Sequence, residues 1–506
     1  MVSKLYTAAL HGFDCKIVTA EVDYRKGQNY LSIVGLADKS VQEAKDRIPA
    51  ALKNSGAEFV FMRIIVNLAP AEISKSGPAY DLPIAIAFLL ASDQIEFDPE
   101  GKIFIGELSL NGDVKPVKGI LPIVNFAKKK GFKQIFLPAD NANEASVVPD
   151  MEIFAVKHLK EIIDHFNGTE KIILYTKPEL PENNFAILKS NNDFKFIKGH
   201  EYAKRAMEVA ACGGHNILLF GPPGSGKTLL SRAFAGILPE LNYEESIEVT
   251  SIFSIAGLVS NRNPLIKQRP FRSPHHTTSQ AALVGGGSIP KPGEISLSHR
   301  GILFLDEFTE FSSQSLEALR QPLEDKVITV SRASGSYTFP ANFMLIAAMN
   351  PCKCGYKGDT TKQCTCTSND VVKYQKKISG PILDRIDLLV KVSRVENSSL
   401  FSKTHAEDSE QIRKRVISVR EAQYERLSKY GLFSNSDMGV EEVEEFVKLE
   451  EEGKRLLSLA VDKMNLSTRS YHRVLKVART IADMEGNDQV ESKHISEALG
   501  FRVELN

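Results

Sequence analysis

The chain has no net charge: 63 lysines and arginines stand against 63 aspartates and glutamates among 506 residues. No global basic field marks it as a nucleic-acid binder, so any such surface has to be local. It also lacks an apolar run of membrane length. The longest, Leu82 to Ala91, is about half of the ~20 residues a spanning helix needs. The opening Met1-Val-Ser-Lys-Leu-Tyr6 has no apolar core of a signal peptide. Cysteines number six, which in a chain of this size argues for thiols or metal rather than a disulfide framework. Internal repeats and low-complexity tracts are missing too. These absences predict a cytoplasmic globular protein with no membrane partner. Its length exceeds two domains at ~100–200 residues each.

What is present is a phosphate-binding loop. The apolar run Ile217-Leu-Leu-Phe220 leads into Gly221-Pro222-Pro223-Gly224-Ser225-Gly226-Lys227-Thr228, and Leu229 to Phe234 follows with helical spacing. A strand, a glycine loop and a helix are the context that the G-x-x-x-x-G-K-[ST] pattern requires. The glycines allow backbone N–H groups to turn inward around phosphate oxygens at the positive end of the helix. Lys227 then neutralises the β- and γ-phosphates, and the Thr228 hydroxyl takes a place on Mg²⁺. This predicts ATP with Mg²⁺ as the bound species.

About eighty residues on, the apolar run Gly301-Ile-Leu-Phe-Leu305 delivers Asp306 and Glu307. The first suits Mg²⁺ and the second a water to be activated. A third run, Phe343 to Met349, ends on Asn350, either a γ-phosphate neighbour that orients that water or a turn residue before Pro351. Two joints divide the chain: the polar, proline-bearing Thr176–Asn184 and the stretch near Val395–Ser399. Residues 1–170 mix strands and helices, 171–196 read as a linker, 197–395 alternate strands and helices, and 396–506 are nearly all helical. In the last part Val443, Phe446, Val447 and Tyr471, Val474, Leu475, Ala478 mark helix faces.

The loop, Asp306-Glu307, Asn350 and Gly380-Pro-Ile-Leu-Asp384-Arg385-Ile-Asp387 together resemble the AAA+ ATPases. The resemblance implies a multidomain α/β protein with a P-loop core and a C-terminal all-helical lid. It makes Arg385 a finger inserted into the neighbouring subunit's site, worth ~10³–10⁵ in rate. The alternative is a surface ion network of Asp384, Arg385 and Asp387. A finger given in trans implies a closed homo-oligomeric ring, a hexamer in this family. Arg469, in Leu466-Ser-Thr-Arg469-Ser, matches the lid arginine that reaches the γ-phosphate in cis, with Arg473 as its rival.

The insertion Arg269-Pro-Phe-Arg272-Ser-Pro-His275-His276-Thr-Thr278, with Ala282–Gly287 and Pro292–Leu297, is similar to the magnesium-chelatase-like branch, most closely its ComM/YifB group. Asp325 to Phe339 reads independently as a β-hairpin around a Ser-Gly turn. In that branch hairpins and inserts face a central channel. The resemblance implies DNA, single-stranded or branched, against Arg332, with Arg272, His275, His276 and Lys291 as helpers. Ordinary solvated or inter-subunit roles stay open for these residues.

Cys352-Lys-Cys354 and Cys364-Thr-Cys366 place four thiols within fifteen residues. The array suits structural Zn²⁺ with no open position; free thiols and redox pairing are the alternatives. Gly106 to Gly119 resembles the Lon-protease-type fold (ribosomal S5 domain 2-like, α+β). That protease needs a Ser–Lys pair. Ala79 follows Gly77-Pro78 where the serine belongs, and Leu121 stands where the lysine belongs, with Lys118 at the wrong offset. The first 170 residues are therefore expected to be an inactive scaffold or binding surface. The whole resemblance implies an ATP-driven helicase or branch-migration motor acting in recombination of incoming DNA during natural transformation. Its rivals are a chelatase-like motor on a protein partner and a non-motor assembly factor.

Overall fold

A computed structural model describes residues 2–25, 30–59, 62–177, 192–287, 290–332, 335–359, 361–395 and 407–502. Most of the expected linker (178–191), the expected boundary at 396 and the hairpin turn at 333–334 lie outside the described residues.

The β-branched alternation of the first residues forms a sheet of Val2–His11, Asp14–Arg25, Arg63–Ala69 and Tyr30–Val34, in that spatial order. The last pair is parallel and the others are antiparallel. Helix Asp81–Ala91, the apolar run too short for a membrane, is buried on nearly every side against this sheet. Among the described residues no helix is long and apolar enough to cross a membrane. Three short parallel strands, Lys102–Phe104, Gln134–Pro138 and Glu152–Val156, form a second sheet.

In the core, five parallel strands run in the order Phe271–Arg272, Ile302–Leu305, Met344–Met349, Ile217–Phe220, Leu388–Lys391. The three central strands read as unbroken apolar runs because helices and the hairpin cover both faces. The P-loop strand lies between two strands that come much later in the chain, which opens a crevice at its carboxyl end, where ligands of such sheets bind. The hairpin forms as expected, with Val327–Arg332 paired to Gly335–Pro340.

Helix Tyr243–Ala256 of the core is also the dock for the N-terminal part. It packs on helix Ile120–Lys129. Gly119 N donates to Ser254 O at 3.1 Å and the Tyr243 hydroxyl to Val147 O at 3.1 Å. Ser254 Oγ donates to the buried Glu144 carboxylate, whose pKa burial raises. Lys118, the residue at the wrong offset for protease chemistry, lies over Gly257 at the end of that helix. A second contact joins the hairpin: Phe13 N donates to Thr338 O at 3.3 Å, and the His11 and Tyr337 rings are 4.6 Å apart.

Residues 407–502 are helical. Val474, Leu475 and Ala478 of helix Thr468–Met484 are buried as the spacing predicts, with Tyr471 packed at the margin. His215, fully buried, ties this helix to the core: its Nε2 is 2.8 Å from Thr480 Oγ1 and its Nδ1 is 3.8 Å from Asp387. Burial pulls its pKa down to about 4, with Asp387 opposing. An unfolded imidazole titrates near ~6.5, so between there and 4 the unfolded chain binds a proton that the folded chain refuses. Stability therefore falls as pH falls through that window. Between pH 7 and pH 5 this group is expected to cost about 2 kcal/mol, a loss that His215→Gln should not show. Denaturant midpoints of both proteins at the two pH values check it.

Candidate nucleotide site and its surroundings

The P-loop adopts the geometry that its residues require. Gly224 and Gly226 have φ of 74° and 83°, the left-handed region, and a Cβ on Gly221 would run into the Val392 carbonyl. Gly226 caps helix Lys227–Phe234 without a side-chain bond, leaving its first N–H groups for a ligand. Ser225 Oγ is buried with no hydrogen-bond partner among the described residues, as expected of a group whose partner is a phosphate.

Lys227 is buried, and its ammonium is held inside the loop. Nζ donates to Gly221 O at 2.8 Å and Pro222 O at 2.9 Å, and it approaches Asn350 Oδ1 at 3.4 Å. Burial lowers its pKa to about 8, against the pull of Asp306. Thr228 Oγ1 donates to Asp306 Oδ2 at 2.8 Å, so the two oxygens expected on Mg²⁺ already touch. These groups fit a magnesium-bound nucleoside triphosphate: a cationic cradle, unclaimed N–H donors, and a hydroxyl–carboxylate pair for the metal.

Glu307 is exposed and left-handed, at φ 51°. Its Oε2 lies 3.0 Å from His276 Nδ1. The sequence suggested His276 only as a helper at nucleic acid; the structure gives it the glutamate expected to activate water. Nothing periodic in the sequence announces this pair, because the insertion returns to the sheet end through irregular backbone.

The other expected nucleic-acid residues separate. Arg332 is exposed at the hairpin tip, and its guanidinium lies over Gly286 of the insertion, so hairpin and insertion share one surface. Lys291 and His275 are exposed nearby in the chain, His275 with Nδ1 2.9 Å from Thr277 Oγ1. Arg272 is engaged within its own chain. Both its Nε and Nη2 donate to Glu294 at 2.7 Å, a bidentate pair that occupies the guanidinium.

Arg385 and Arg469 lie at the other end of the sheet. Arg385 precedes strand Leu388–Lys391, and its carbonyl accepts from Asn216 Nδ2 at 3.2 Å, beside the start of the P-loop strand. The loop follows that strand's end, so strand length, about 13 Å, separates the two. Arg385 is buried; Nη1 donates to Pro381 O at 2.7 Å and Nη2 pairs with Glu324. Arg469 pairs with the same carboxylate at 3.1 Å. Its expected reach in cis to this chain's γ-phosphate is corrected accordingly: helix Thr468–Met484 starts against residues 384–387, away from the loop. The rival Arg473 is paired with buried Asp387.

Cys352, Cys354, Cys364 and Cys366 converge, with all four sulfurs within 4.8 Å of one another. Three of the separations are 3.4, 3.5 and 3.7 Å, near the about 3.8 Å edge of a tetrahedron with ~2.3 Å bonds. A backbone hydrogen bond from Tyr356 chiefly draws the Cys354 thiol down, to about 5, whereas burial and the neighbouring thiols push Cys364 and Cys366 up against their own backbone hydrogen bonds. The cluster can hold a metal ion. It abuts the P-loop: Gly355 has φ 86°, and a Cβ there would lie 2.8 Å from the Pro223 ring.

Comparison with known proteins matches the chain in three segments. Residues 193–400 match the model described as magnesium chelatase, subunit ChlI; residues 20–141 match subunit ChlI of Mg-chelatase; residues 406–502 match the ChlI C-terminal model. The competence protein ComM of Haemophilus influenzae is 42% identical over 503 residues, covering 99% of this chain and 97% of that one. The protein YifB of Escherichia coli is 39% identical over 507 residues, covering 99% and 97%. A shorter match, 24% over 225 residues, links 42% of this chain to 25% of the maternal DNA replication licensing factor mcm6 of Xenopus tropicalis.

Proposed function

The chain belongs to the magnesium-chelatase-like family that includes ComM and YifB, and from that premise we propose that it is a ring-forming AAA+ ATPase that moves or unwinds DNA. The substrate is single-stranded or branched DNA, taken through helicase or branch-migration steps in recombination of incoming DNA. The observation that carries the motor reading is the placement of Lys227, Thr228, Asp306 and Glu307 at one end of the sheet and Arg385 at the other. A chain so arranged completes its site only with a neighbour's arginines, which a closed ring supplies. By the same geometry Arg469 acts in trans, together with Arg385. The ring is hexameric by its resemblance to AAA+ proteins.

In the site, Lys227 would neutralise the terminal phosphates, and Thr228 and Asp306 would hold Mg²⁺, which when bound would supply positive charge against the phosphate oxygens. Asn350 and Glu307 orient the attacking water, and Glu307 accepts its proton. The DNA reading is supported by the exposed Arg332 beside the glycine-rich insertion and by the names of the competence and licensing relatives. Residues 1–170 serve as a scaffold of Lon-protease-like fold without its Ser–Lys chemistry.

The test is ATP turnover with and without forked or Holliday-type DNA. Stimulation together with strand separation supports the motor. Turnover that DNA leaves unchanged favours a chelatase-like action on a protein partner, and no turnover at all favours an assembly factor. Within that assay Arg332→Ala should keep the basal rate while losing DNA stimulation. Its log K against log salt slope should be shallower by ~0.7–0.9, the value of one phosphate contact. An unaltered slope and stimulation would move the DNA path away from the hairpin.

The cysteine cluster is proposed to hold structural Zn²⁺. Metal analysis should return one zinc per chain, and Cys364→Ser should lose it and unfold at lower denaturant. Four freely titrating thiols in protein purified without chelator would leave the cluster without that role.

A further inference from the structure

Glu324 is the penultimate residue of the short helix Arg320–Asp325, three positions before the start of the hairpin strand Val327–Arg332. Its carboxylate is divided between two guanidiniums: Oε2 pairs with Arg385 Nη2, and Oε1 is 3.1 Å from Arg469 Nη2. Four arginines crowd this corner. Arg320 is paired with Glu317 at 2.8 Å and Arg473 with Asp387, which leaves Glu324 to serve both Arg385 and Arg469. Arg385 has a side chain only 7% exposed, and its Nε is buried with no hydrogen-bond partner among the described residues. Burial, and then Arg469, Arg320 and Arg473, press its pKa below the ordinary value. An anion with one oxygen for each of two converging guanidiniums is the arrangement in which arginines receive a phosphate.

We infer that Glu324 is a positioning residue that stands in for the neighbouring chain's terminal phosphate, masking Arg385 and Arg469 until the hairpin draws it away. The inference rests on the reading of Arg385 as a residue acting in trans. Lys326, the left-handed residue between Glu324 and the hairpin, is pinned to Asp437. That contact holds the hairpin root against the C-terminal part, while the two residues between Glu324 and strand Val327–Arg332 couple the helix end to the hairpin by the chain itself; the two arginines are carried by the 381–387 segment and the C-terminal helix. Glu324 itself is half exposed, so its withdrawal uncovers no buried charge of its own. A strand engaged by the hairpin shifts the root of the hairpin, and the carboxylate moves with it. DNA would thus raise turnover by presenting two guanidiniums rather than by touching the nucleotide.

The experiment uses the full-length protein and compares ATP turnover by wild type, Glu324→Gln and Glu324→Asp, with and without single-stranded DNA. Glu324→Gln keeps the shape and removes the charge. It is expected to raise the DNA-free kcat by about 2- to 10-fold with little change in KM, and to shrink the stimulation by DNA in proportion. Glu324→Asp, too short to span both arginines, should fall between. A gain in rate is a readout that structural damage does not produce, and a melting scan identifies a variant that fails to fold. A DNA-free kcat in folded Glu324→Gln or Glu324→Asp that equals or lies below wild type overturns the masking role. Arg385→Ala is the control. Wild-type turnover there sinks the trans reading itself, whereas a slow Arg385→Ala beside an unaltered Glu324→Gln sinks only the mask.

Discussion

Lys227→Ala is expected to abolish nucleotide binding, whereas Glu307→Gln should bind nucleotide normally and stop turning it over. The ammonium of Lys227 already points at the loop carbonyls of Gly221 and Pro222. Its removal takes away the only cation that the loop itself carries, and charge-assisted bonds of about 1.5–3 kcal/mol each to two phosphates go with it. An affinity loss of ~10²–10⁴ follows. Glu307 touches none of the loop groups; among the described residues its side-chain ion pair is with His276. Its amide variant keeps the volume and gives up the proton acceptor, a contribution of ~10²–10⁴ in rate. Equilibrium binding of a fluorescent nucleotide, beside single-turnover hydrolysis, separates the two. Normal turnover in Glu307→Gln would remove that residue from the chemistry.

Arg385→Ala should assemble as wild type does, bind nucleotide, and hydrolyse it ~10³-fold more slowly or worse. The expectation follows from its place at the opposite end of the P-loop strand, where it cannot reach this chain's own phosphates. Mixing Arg385→Ala with Lys227→Ala should restore part of the activity. At one kind of junction a chain with an intact loop meets a chain with an intact arginine. Mixed rings, verified by differential tagging, that remain inactive would end the trans assignment.

The nucleotide residues were legible because their chemistry is local. Lys227 and Thr228 sit in one contiguous loop, and Asp306, Glu307 and Asn350 follow short apolar runs that form buried strands. The hairpin was legible for the same reason, by alternation around a short turn. The four cysteines declared themselves by spacing, and their convergence adds what spacing could not, the contact of Gly355 with Pro223. What stayed hidden depends on which distant segments meet. His276 reaches Glu307 across 31 positions, and Glu324 reaches Arg385 across 61 and Arg469 across 145. No periodicity encodes such pairs. Nothing in the irregular stretch around Arg272 hints at its pairing with Glu294 22 residues later. Arg469 misled because a helix start identifies a cap and says nothing about which end of the sheet it meets. The docking of the N-terminal part on helix Tyr243–Ala256 was likewise invisible, since helix Ile120–Lys129 reads as an ordinary amphipathic element and Tyr243–Ala256 mixes polar and apolar residues on all its sides.

In the proposed ring, a chain whose loop and arginines lie at opposite ends of one sheet would own half of two reaction centres and the whole of none. That has an arithmetic consequence for mixed assemblies. Dilute a small fraction of a single-defect chain into wild type, and each intruder silences one junction. Dilute the Lys227→Ala/Arg385→Ala double variant, and each intruder silences the junctions on both of its flanks. The initial slope of activity against dose should therefore be twice as steep for the double variant, provided junctions turn over independently. A ratio below two, falling towards one, would mean that one silent junction stalls its neighbours, and it would measure how many chains fire in concert.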